Sequence, residues 1–167
     1  VTADRRDPST LLLGLLGARI DAVERRGFDG ETPLRLGVDP LIVRAGALAL
    51  YLTVDGGRGD LLVFELSAVA AGALRGTQSF ALGDHDEDAR VVAQLSAPVL
   101  GIDQLARAPG GGPAGFYQRC GIRLRLQGGG SLYLGTHLRA IADTDDLCIL
   151  HPDETRDDLV ATPLRRP

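Results

Sequence analysis

Apolar residues near the start of this chain recur at spacings of three and four, and over much of the rest they alternate with polar ones. Leu13, Leu16, Ile20 and Val23 fall on one helical face. Asp7 is a good N-cap, Pro8 suits the first turn, Arg25 and Arg26 would complement the dipole in the last turn, and Gly27 can end the element. The spacing predicts a helix over 7–26. Gly14 and Gly17 weaken it by roughly 1 kcal/mol each relative to alanine, so packing must hold it.

From residue 31 onward, short apolar runs alternate with Gly, Pro and Asp. LRLGV (34–38) and LIVRA (41–45) flank the Asp39–Pro40 turn, and GALALYLTVDGGRGDLLVFEL (46–66) reads as a hairpin. RVVAQLS (90–96) reads as a strand ended by Pro98, VLGIDQLA (99–106) fits a strand or a helical turn, and DLCILHP (146–152) reads as a strand. The charged end, 152–167, reads as an exposed tail. The expected fold is a single α+β domain, 1–167. An N-terminal helix packs on a predominantly antiparallel sheet over 31–151, as a sandwich or a partly closed barrel.

Register follows from which side chains would share a face. In GIRLRLQGGGSLYLGTHLRAI (121–141), a three-residue loop of Gly128, Gly129 and Gly130 pairs Leu126 with Leu132 and Leu124 with Leu134. One face is then apolar, and the other carries Arg125 opposite Tyr133, with Arg123 nearby. Such a loop needs a left-handed last residue, here Gly130. This hairpin should keep one face in water. The same loop length at Gly56–Arg58 pairs Leu52 with Leu62 and Leu50 with Phe64. Both faces are then largely apolar, which predicts a hairpin buried on both sides.

At 167 residues the chain suits one domain with a real core, and a hydrophobic content of 44% fits a globular protein. All eighteen basic residues are arginine, a bias expected of a GC-rich bacterial genome, so the arginines are not read as functional choices. Val1 is what a GTG start codon written literally would give. The net charge of −4 argues against nucleic acid as partner. The longest apolar run, Leu11–Ala18, is too short to cross a bilayer, and Asp7 and Pro8 spoil it as a leader segment. Cys120 and Cys148 are too few for a disulfide framework and read as free thiols in a cytoplasmic protein.

Candidate chemistry is sparse. The triple glycine lacks the GK[ST] ending and following helix of a phosphate loop. His85, within DHDED, sits in a solvated acidic loop without EF-hand spacing. His137 and His151 flank Asp143, Asp145 and Asp146, and an enzyme or metal site built on His137, Asp146 and His151 is the alternative reading; no HExxH or CxxC supports it. No catalytic residue, metal or cofactor is therefore assigned. Arg123, Arg125 and Tyr133, on the outer face of the second hairpin, are the side chains best suited to a protein contact. The expectation is a non-catalytic domain of accessory, regulatory or immunity type that binds a protein, with no membrane or nucleic-acid partner. Homo-oligomeric assembly is a third reading.

Overall fold

The computed structural model describes residues 7–28, 40–55, 57–69, 77–81, 89–108, 116–140 and 147–166. Helix α1 spans Pro8–Leu13, with strand β1 at Ala22–Phe28, β2 at Leu41–Ala45, β3 at Leu48–Asp55, β4 at Asp60–Glu65 and β5 at Thr77–Ala81. Helix α2 follows at Ala89–Gln94, then β6 at Val99–Arg107, β7 at Gly121–Leu126, β8 at Ser131–Gly135, β9 at Cys148–Leu150 and β10 at Leu159–Pro163.

The strands form two antiparallel sheets, ordered β4-β3-β2-β1-β5 and β10-β6-β7-β8-β9. The sheets are not closed into a barrel. Val43, Leu50, Leu52 and Val63 of the first sheet pack with Ile102, Ile122, Leu124 and Leu132 of the second in one core. This is the expected α+β class, as a sandwich. Burying such side chains contributes roughly 1.5–3 kcal/mol each, far more than any surface contact offers.

The first helix is shorter than its periodicity predicts. The Asp7 carboxylate does accept the Ser9 N–H at 3.2 Å, with Pro8 in the first turn. The helix closes at Gly14, and the Gly17 N–H goes to the Val99 carbonyl at 2.7 Å. Residues 22–26 are strand instead. Arg25 is therefore no helix-end cation: it is buried, and its Nη1 donates to the Leu147 carbonyl at 3.0 Å, tying the first sheet to the segment entering β9. Tertiary partners on both sides of 17–28 outweigh a weak local helix.

Both hairpin registers differ from expectation. In the first, Leu52 pairs with Val63 and Asp55 with Asp60, leaving a four-residue loop. A three-residue loop would demand a left-handed Arg58; the longer loop places Gly59 there, at φ +65°. The Asp55 side chain caps this loop by accepting the Gly57 N–H at 2.9 Å. That single-residue slip exchanges the faces, and buried positions alternate with half-buried ones in both strands, so the hairpin is buried on one side only. In the second, Leu124 pairs with Leu132 and Arg123 with Tyr133. The loop has the predicted length but sits one residue earlier, at 127–129, and the left-handed residues are Gly128 and Gly129 rather than Gly130. The resulting shift is two positions, so the buried face is unchanged.

Two more segments depart from expectation. Residues 89–94 form helix rather than strand, with Val91 buried. The end of the chain is no frayed tail: β10 pairs with β6 from Leu159↔Arg107 to Pro163↔Asp103. LRLGV (34–38) lies outside the described residues.

Candidate functional site

The outer face of the second sheet has two parts. At one end, Leu105, Cys120, Leu138, Cys148 and Leu150 form a small second core, covered by the chain around Leu138. Cys120 donates to the Leu105 carbonyl at 3.6 Å and Cys148 to the Gly135 carbonyl at 3.2 Å. Both are free and buried. Burial pushes the Cys120 thiol up to about 12, so it is neutral at ordinary pH.

The other end carries the arginines singled out from sequence. Alternation along β7 points Arg123 and Arg125 outward while Ile122, Leu124 and Leu126 enter the core. Opposite them on β6 lies Asp103, only 1% exposed. Its Oδ2 accepts Nε and Nη2 of Arg123 at 2.7 Å each and meets Nε of Arg125 at 3.2 Å. Burial lowers the Arg123 guanidinium, but hydrogen bonds to Asp103 and Tyr133 outweigh that and hold it above its ordinary value. Arg125 faces Gly101 across the strands, and its guanidinium occupies the space a side chain there would need. The arginine side chains remain 32% and 49% exposed. They are pinned in place yet present N–H groups to solvent.

Three parts of this arrangement lie in β6. A bulge between Val99 and Gly101 leaves Leu100 unpaired and 63% exposed beside Arg125's seat. Asp103, Gly101 and Leu100 were not singled out from sequence. A lone Asp within VLGIDQLA was the available signal, because a carboxylate inside an apolar strand calls for a cationic partner.

The histidines are engaged separately. His151 Nδ1 accepts the Asp153 N–H at 3.3 Å while Glu154 accepts the His151 N–H at 3.1 Å, a capping box on the turn Pro152–Glu154. His137 is buried, with φ +55°, and its ring lies 4.5 Å from that of Tyr117, itself at φ +57°. The Arg107 guanidinium sits over the other ring's centroid at 4.6 Å, and Tyr117 also presses on Gly59. This stack locks the β3–β4 turn to the second sheet, aided by the Tyr117 N–H to the Arg58 carbonyl at 3.0 Å. His85, Asp143, Asp145 and Asp146 lie outside the described residues. Among the described residues no three His, Cys, Asp or Glu side chains gather as metal ligands would.

A cleft of about 110 Å³ opens beside the β4 edge, lined by Leu12, Leu61, Gln104, Ile122 and Leu164 among others. Pockets for drug-sized ligands run from roughly 300 to 1,000 Å³, so this cleft is small for one. Among the described residues no helix is long and apolar enough to cross a membrane. No family model, curated protein or solved structure matches this chain.

Proposed function

We propose that this is a non-catalytic, cytoplasmic domain that binds another protein through the outer face of its second sheet. One observation carries the reading: Arg123 and Arg125 are held by a buried aspartate rather than waving in solvent, with Tyr133 opposite Arg123. Arginine and tyrosine are enriched at binding hot spots, and pinned side chains lose less entropy on association. The two buried thiols fit a reducing compartment.

The test is chemical crosslinking in native lysate. Wild-type protein should yield a stoichiometric partner that Arg125→Glu and Tyr133→Ala each lose at a temperature where circular dichroism shows the variant folded. Retention of that partner by both variants overturns the assignment of this face.

A further inference from the structure

The charges on this face of the second sheet decide what kind of protein surface would fit it. Across β6, β7, β8 and β10, the sole carboxylate is Asp103, although the whole chain carries a net charge of −4. The chain does not leave the sheet at Pro163. The Leu164 N–H donates to the Ile102 carbonyl at 2.9 Å, and Leu164 packs against the core. On this register, Arg165 comes opposite Gly101 on the same face as Pro163, while Arg166 has the parity of Leu164; both arginines are exposed. Three arginines, Arg123, Arg125 and, by register, Arg165, thus lie on this face, where Asp103 is the one carboxylate of the strands that form it. Exposed Leu100 lies among them.

We propose that this end docks an acidic protein segment with an apolar side chain beside its carboxylates. The inference rests on the binding-face reading above and names the partner's chemistry. Asp103 consumes Nε and Nη2 of Arg123 and Nε of Arg125, and Tyr133 takes a further hydrogen bond from Arg123, so the guanidinium N–H groups offered outward are mainly those of Arg125. A carboxylate accepts such groups in charge-assisted pairs, and the local positive field draws it in. Leu100 supplies an apolar contact that a phosphate backbone would leave unused. Nucleic acid would also want stacking platforms, and aromatics are only 4% of this chain.

Fluorescence anisotropy separates the outcomes. The probes are a labelled twelve-residue peptide alternating glutamate and leucine, its lysine counterpart, and a single-stranded oligothymidylate of equal length. The glutamate peptide should bind, weaken as salt is raised, and lose about tenfold in affinity with either Arg125→Ala or Arg165→Ala. Arg165→Ala alters an exposed position, so its effect does not depend on the fold tolerating a change at Asp103's partner. Equal binding of the lysine peptide, or tighter binding of the oligonucleotide, overturns the proposal. Should no acidic peptide bind while Arg125→Glu still loses the crosslinked partner, this inference falls and the binding-face reading stands. Should the crosslinked partner survive both face variants, both fall.

Discussion

Gly101 and Asp103 prepare Arg125 from opposite sides. One leaves room for the guanidinium and the other anchors it. Gly101→Ala should evict a flexible side chain and leave Asp103 with Arg123 alone, costing about 0.5–1 kcal/mol of stability while weakening partner binding as strongly as Arg125→Ala. Comparison of chemical denaturation with binding checks that separation. Asp103→Ala should cost about 1–2 kcal/mol of stability, less than a fully buried pair, because both arginines regain water. At Gly59 the balance differs. Its left-handed backbone and contact with Tyr117 leave no room for a methyl group, so Gly59→Ala should destabilise by about 1–3 kcal/mol in denaturant titration. The two arginines and the tyrosine were legible from alternation alone. Their anchor was not, because Asp103 meets Arg123 across a strand pairing between residues twenty positions apart.

Strand β10 turns the end of the chain into part of the sandwich. It covers the β6 edge, places Leu159 and Ala161 against the second core, and carries Leu164 into the first. Ending the chain after Asp158 should therefore cost at least about 3 kcal/mol, from three partly buried apolar side chains, and raise amide exchange along β6. The same register brings Arg165, just past the strand, to the binding face. The sequence VATPLRR contains no strong alternation, and its proline and arginines resemble a solvated end. Only an available strand edge makes it a strand. The reverse holds for 22–26, where AVERR continues a helical spacing but finds a partner on each side, β2 and β5.

The molecule is held by one core between two sheets and by a smaller core on the back of the second sheet. The smaller core contains both thiols. A thiol held near 12 in the folded state and about 9 when exposed favours folding fully below pH 9, and that contribution fades as pH rises toward 12. Alkaline titration of stability should show the decline, and Cys120→Ser should flatten it. Below pH 9, iodoacetamide should label neither cysteine in the native protein and both once denaturant is added.

Alternation along the strands settled which side chains of β7 and β8 enter the core and which face out, since a shift of two positions preserves parity. It also settled the α+β class and the capped start of the first helix, because these depend on neighbours within one turn or one strand. Pairing partners, the fate of 89–94, the β10 edge and the Asp103 anchor came from contacts between distant segments. Those depend on which edges and faces remain open once the sandwich has closed, and no local period records that.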